Sequence, residues 1–190
     1  PYLKDVIKTM QKALSKESDG VALAAPQIAL PLRIFVVSES AYPEDAKYKP
    51  LVFINPKIVK VSKKTAIMQE GCLSVRWIYG KTKRAVSATV EAQDIDGNKF
   101  TYGASGLIAH IFQHEIDHLD GILFIDKAKY VEEMPPVKTQ TKKAKNKPNP
   151  MQVGLFSEPE IVERVVERVI EQPRVSAVEQ ALQALNVDNL

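Results

Sequence analysis

The stretch Gln113-His114-Glu115-Ile116-Asp117-His118-Leu119-Asp120-Gly121 constrains this chain more than any other. Two histidines four residues apart in a helix lie one turn apart on the same face, so both imidazoles reach a single ion. Glu115 follows the first of them, the place from which a carboxylate acts on a metal-bound water without being a ligand. Gly121, just past the last apolar residue, reads as a helix stop, and Ser105 as the N-cap. The helix between them, Gly106 to Leu119, runs about four turns. Stepping about 100° per residue puts His110, Gln113, His114, Asp117 and His118 on one polar stripe. Ile108, Ala109, Phe112, Ile116 and Leu119 lie on the other side. Leu107 and Ile111 fall inside the polar stripe beside His114, where a solvated face has no use for them. Such a helix is internal, with its polar face turned to a cleft that Leu107 and Ile111 help to wall.

At 190 residues the chain holds one domain with a proper core plus an appendage. Its 45% apolar and 26% charged content is that of an ordinary globular protein, and a net charge of +3 is too small to imply a nucleic-acid binder. No stretch resembles a membrane span or a signal peptide. The single cysteine, Cys72, excludes an internal disulfide and suits a reducing compartment. The chain opens on Pro1 rather than Met, and a missing N-terminal segment is expected.

From Tyr2 to about Lys16, Leu3, Val6, Ile7, Met10 and Leu14 recur at helical spacing. The small-residue run Asp19-Gly20-Val21-Ala22-Leu23-Ala24-Ala25-Pro26-Gln27 follows. It is compatible with a tight turn before a strand or with backbone that approaches another surface closely. Strands are expected at Arg33–Val37, at Leu51–Asn55 (ended by Pro56), at Ile58–Val61 and at Ala66–Gln69, with a polar loop over 38–50. Val86, Ala88, Val90 and Ala92 alternate with polar residues, the mark of a half-buried strand. Asp96-Gly97 then closes a hairpin, with Lys99 to Tyr102 returning. Strands that pair locally and feed one long helix imply an α+β fold: largely antiparallel β-sheets packed around a central helix carrying the His-Glu-x-x-His motif.

Glu70-Gly71-Cys72-Leu73-Ser74 brings in the cysteine, on what reads as a glycine-preceded loop. A lone cysteine is commonly a small buried hydrophobe. A site with two histidine ligands, however, needs a third ligand and an open fourth position, and Cys72 is a candidate for the third.

The segments Gly20 to Gln27, Glu70 to Ser74 and Gln113 to His118, in that order, resemble the three motifs of the peptide deformylase family. The resemblance spans residues 1 to about 130. It implies removal of the formyl group from N-formylmethionyl nascent chains, in a bacterial cytoplasm or in an organelle matrix. It also implies one Fe2+ or Zn2+ held by Cys72, His114 and His118. Glu115 would carry the proton, and the Gln27 amide and Leu73 backbone N–H would stabilise the oxyanion. Gly20, Val21, Ala22, Glu70, Gly71, Leu107, His110 and Ile111 fall at substrate-binding positions, the last three around the methionine side chain. Arg84 matches an arginine expected to brace the helix by pairing with Asp117. A transient partnership with the ribosome follows from the substrate.

Several residues depart from the family pattern. Ala22 and Ala29 stand for glycines, Arg76-Trp77 for a Pro-Gly-like pair, and Tyr79 for an arginine. His110 is unusual at its position and reads as a pocket-wall histidine rather than a fourth ligand, since three ligands and water complete the site. Trp77 reads as a core residue or, in preference, as the rim of the cleft. Met134 ends the expected catalytic domain (1–134). A Lys/Pro-rich linker (135–153) and a helical appendage (154–190) follow, with ribosomal RNA a conceivable contact for the lysines. Two other readings share these residues: a zinc peptidase, weakened because no histidine follows His118, and a non-catalytic ribosome-associated protein of the same fold.

Overall fold

A computed structural model describes residues 2–134 of the chain. The linker and the helical appendage expected beyond them lie outside the described residues.

Helix α1 (Tyr2–Leu14) turns Val6, Ile7, Met10 and Leu14 inward. Strands β1 (Ala22–Ala24), β2 (Ile34–Val37), β3 (Val52–Val61), β6 (Ser87–Gln93) and β7 (Lys99–Ser105) form one antiparallel sheet in the order β1-β2-β3-β6-β7. A smaller sheet, β4-β5-β8, is built from β4 (Thr65–Cys72), β5 (Val75–Ala85) and β8 (Tyr130–Glu133). Helix α2 (Gly106–Leu119) carries the histidine pair.

The larger sheet is covered on both faces at β2, which is why Ile34-Phe35-Val36-Val37 is apolar without alternation. Ile34 and Val36 pack with α1, while Phe35 and Val37 pack with α2. Phe35 stacks on Phe53 with ring centroids 4.5 Å apart, and Phe112 of α2 meets Phe53 edge-on at 5.2 Å. Phe112 is fully buried, which contributes roughly 1.5–3 kcal/mol and fixes α2 against the sheet. At the far end of α2, Arg33 reaches Asp120 at 2.8 Å and the carbonyl of Leu119 at 3.2 Å, a cation where the helix leaves its last carbonyls unpaired.

The α+β architecture with antiparallel sheets is as expected; several boundaries are not. Leu51–Asn55 and Ile58–Val61 are one strand, β3, rather than two. Pro56 has no N–H to give a ladder, so the strand carries it on an irregularity between Ile54 and Lys57, with Asn55 at φ 50°. The third motif residue Cys72 ends strand β4 rather than lying in a loop. Strands β5 and β8 were not expected. On β5 the buried alternation runs through Ile78, Gly80, Thr82 and Arg84, a sequence that carries no hydrophobic period. Ser105 does stand at the N-cap of α2, but its side chain makes no capping hydrogen bond.

The segment Gly20 to Gln27 is neither a simple turn nor loose loop: it becomes β1 and then a 3-10 turn over Ala25–Ile28. Ala29 closes that turn at φ 61°, left-handed backbone that glycine accepts more readily. Ala29→Gly should therefore stabilise the chain by roughly 0.5–1 kcal/mol, measured as a rise in the urea midpoint at unchanged slope.

Candidate metal centre and active site

The polar stripe of α2 is largely a buried seam against the smaller sheet. Gln113 brackets Ala85 of β5, accepting from its N–H and donating to its carbonyl, both at 3.0 Å. Asp117 accepts from Arg84 at 2.6 Å, and Lys127 adds a second cation to the same carboxylate. His110 and His114 both meet Glu70 of β4, and His118 meets Cys72. The turn-by-turn repeat of the helix is thus zipped to a two-stranded ribbon, which fixes the height of each histidine. This corrects the expectation that the whole stripe faces a cleft: only its N-terminal part does.

Cys72, His114 and His118 bring their ligand atoms within 4.8 Å of one another. Cys72 Sγ lies 3.1 Å from His118 Nε2, which lies 3.2 Å from His114 Nε2. A tetrahedral site with metal–sulfur and metal–nitrogen bonds of about 2.3 and 2.0–2.1 Å has edges of roughly 3.5 and 3.3 Å. The donor set therefore fits a divalent ion with shifts of a few tenths of an ångström. His114 Nδ1 is 3.0 Å from Glu70 Oε2. A carboxylate only accepts, so Nδ1 keeps its proton, and Nε2 is the nitrogen that would offer a lone pair to an ion once its own proton has left.

The charges at the centre are coupled. Burial alone would raise the Cys72 thiol, but hydrogen bonds from His114 and His118, and their charge, bring it down to about 5. Burial would likewise lower His114, yet Cys72 and Glu70 hold it up at about 10. The two shifts describe one thiolate–imidazolium pair, so entry of a metal releases the imidazolium proton. Glu115 is pushed up by burial to about 7, against the pull of His114 and His118. Its Oε2 is the only buried side-chain oxygen or nitrogen without a hydrogen bond among the described residues. A buried carboxylate oxygen left without a partner is costly, and it is placed here beside the ligand pair.

A cleft of about 270 Å³ ends at these groups. Gly20, Val21, Ala22 and Gln27 line it, as do Glu70, Gly71, Cys72 and Leu73. Leu107, His110, Ile111, His114 and Glu115 of α2 complete the lining. His118, Arg84 and Asp117 lie outside its lining. Gln27 is held by both ends of its amide: Oε1 accepts from the Ala24 N–H at 2.8 Å, while Nε2 donates to Ser74 Oγ at 3.0 Å and approaches Cys72 Sγ at 3.5 Å. The first contact sets the amide orientation and aims the donor at the centre.

Glu70 contributes to the cleft wall, but its carboxylate is turned away from any substrate. It is 4% exposed and engaged by Arg84 through two nitrogens at 2.7 and 2.9 Å, by His110 at 2.5 Å, by His114 and by Thr82. Burial would raise its pKa, yet these bonds, Arg84 foremost, hold it far below the carboxylate range. Arg84 thus has two carboxylate partners, not Asp117 alone. Thr82 and Ser74 were not foreseen. Thr82 sits two residues from Arg84 on one face of β5, a relation visible only once β5 is known to be a strand. Gly71 has a local reason: a Cβ there would stand 2.7 Å from a carbon of the Tyr79 ring.

A thiolate, two imidazoles and an adjacent buried carboxylate at the end of a cleft define a metallohydrolase site. The family model for polypeptide deformylase matches residues 1–134. The peptide deformylase of Desulforudis audaxviator is 43% identical over 113 residues, 60% of this chain and 70% of the relative. The chloroplastic/mitochondrial peptide deformylase 1B of Arabidopsis thaliana is 41% identical over 125 residues, 66% of this chain and 45% of the relative. Among solved structures, a Synechococcus elongatus peptide deformylase in complex with actinonin superposes with a TM-score of 0.62 at 36% identity, covering 68% of each chain. The chain belongs to the polypeptide deformylase family, hydrolases that remove the formyl group from the N-terminus of nascent peptides.

Proposed function

We propose that Cys72, His114 and His118 hold one Fe2+ or Zn2+ and that the chain deformylates N-formylmethionyl peptides at the end of this cleft. The convergence of the three donor atoms beside the unpartnered Glu115 Oε2 carries this reading. When bound, the ion supplies a Lewis acid that acidifies water and polarises the formyl oxygen. Glu115 accepts the proton of the attacking water and delivers it to the departing amine nitrogen. A carboxyl poised near pH 7 by burial suits both halves of that exchange. The Gln27 amide N–H and the Leu73 backbone N–H donate to the oxygen that becomes anionic, and the bond from Ala24 keeps the Gln27 donor from turning away.

Leu107, His110 and Ile111 receive the methionine side chain, and Gly20, Val21 and Ala22 run beside the peptide backbone. The Arg84–Glu70–His110 cluster holds His114 in register. The setting proposed is a bacterial cytoplasm or an organelle matrix, with transient presence at the ribosome where formylated chains emerge. No helix among the described residues is long and apolar enough to cross a membrane. The substrate class is tested by anaerobic assay of the iron-loaded chain. Formate should be released from formyl-Met-Ala-Ser, with no cleavage of unformylated Met-Ala-Ser. Release of free methionine from the latter would instead make the site a peptidase.

A further inference from the structure

The lip of the cleft holds an irregularity that the deformylation chemistry does not use. On β4 the pairing moves one residue, from Cys72 to Gly71, while on β5 it moves from Val75 to Tyr79. Arg76, Trp77 and Ile78 are thus three residues of β5 without partners on β4, a bulge beside the proposed metal ligand. Bulges next to active sites re-aim side chains. Trp77 sits on it at φ 67°, left-handed backbone that bulky residues resist. The residue is 39% exposed and lines the cleft.

The bulge is tied down on both sides. Arg76 donates to both carboxylate oxygens of Asp19 at 3.2 Å and to Glu17, beyond the end of α1. The Trp77 carbonyl accepts from the Met134 N–H at 2.7 Å. Arg76 also lies over the Trp77 ring, 5.7 Å from its centroid, yet the residue stays exposed on unfavourable backbone, held by anchors that serve no core, which points to a surface in use. Val75 lies opposite Cys72, and Trp77 is two residues further on. Two residues span at most about 7 Å, so Trp77 lies within reach of the second or third residue of an extended peptide that starts at the metal site. Arg76 is already matched by two carboxylates, so the lip offers no free cation to an acidic side chain.

We propose that Trp77 is a specificity-determining residue, a shelf on which an apolar side chain at the second or third position of a formylated peptide packs. This rests on the deformylase reading and adds the peptide's sequence preference to it. The test measures kcat/KM of the metal-loaded full chain on formyl-Met-X-Ala and formyl-Met-Ala-X, with X as Ala, Leu, Phe or Glu. In the parent chain Leu or Phe at one of these positions should exceed Ala by roughly five- to tenfold, mostly through KM, as an aromatic contact allows. In Trp77→Gly and Trp77→Ala the ratio should fall to within about twofold, while Trp77→Phe restores it.

Glycine accepts φ 67°, so Trp77→Gly should melt at or above the parent temperature even as selectivity is lost. Trp77 is the only tryptophan, so its fluorescence should shift when the product Met-Ala-Phe or Met-Phe-Ala is titrated in. A flat series in the parent chain, an unchanged ratio in Trp77→Gly, or equal losses on every peptide with a lowered melting temperature would overturn the shelf alone. Release of no formate from any peptide would overturn the deformylase reading, and the shelf with it.

Discussion

Glu115→Gln should bind its ion as the parent chain does and lose turnover by about 10²- to 10⁴-fold, the range that a positioned proton carrier contributes. The amide keeps the shape and the burial of the carboxyl but cannot take up a proton. Metal content by elemental analysis and kcat from formate release separate the two effects. Loss of the ion, or activity near the parent level, would remove Glu115 from its proposed role. A second consequence has a sign of its own. Burial raises the folded-state pKa of Glu115 to about 7, above its ordinary 4.5. A group raised in this way stabilises the fold below the unfolded value and loses that contribution as pH rises through the folded one. In metal-free protein, Glu115→Gln should therefore gain melting temperature relative to the parent as pH is raised from about 4.5 to above 7.

Arg84→Ala should destabilise the chain by about 3–5 kcal/mol, the usual effect of removing one member of a buried ion pair. Arg84 is 5% exposed, and its guanidinium joins Glu70 of β4 to Asp117 of α2. Without it the Glu70 carboxylate keeps only Thr82 and the two histidines, while Asp117 keeps Lys127 at the surface. Urea unfolding of metal-free protein gives the difference; a change under about 1 kcal/mol would show that the cluster contributes nothing to the fold. Glu70 supplies the matching pH dependence. Its pKa is depressed, so its contribution is present above the ordinary carboxylate value and is lost as pH falls below it. Glu70→Gln should flatten that acid limb of the parent's stability.

How much of this was legible in the sequence depended on whether a residue's partner lay near it in the chain. Helix α2 declared itself, because His114, Glu115 and His118 are related by the helical repeat alone. The wheel also placed Leu107 and Ile111 next to His114, and both line the cleft. Strand β5 was hidden because its buried face reads Ile78, Gly80, Thr82, Arg84, which no hydrophobic period reveals. Missing β5 hid the rest of the cluster. Arg84 was tied to Asp117 through the family resemblance, but its bonds to Glu70 join two strands whose pairing was unknown. Glu70 was accordingly read as facing substrate, whereas its carboxylate is held by Arg84, Thr82 and two histidines. The bulge that presents Trp77 is likewise a matter of register between β4 and β5, which residue types do not encode.

The central claim is that three side chains, Cys72, His114 and His118, make one metal site on which deformylation depends. Anaerobic titration of metal-free chain with Fe2+, following bound metal and formate release from formyl-Met-Ala-Ser together, tests it most directly. One ion per chain should bind, activity should rise in proportion to occupancy, and Cys72→Ala should abolish both. Full activity in the metal-free chain, or a Cys72→Ala variant that keeps one tight ion and normal turnover, would contradict it.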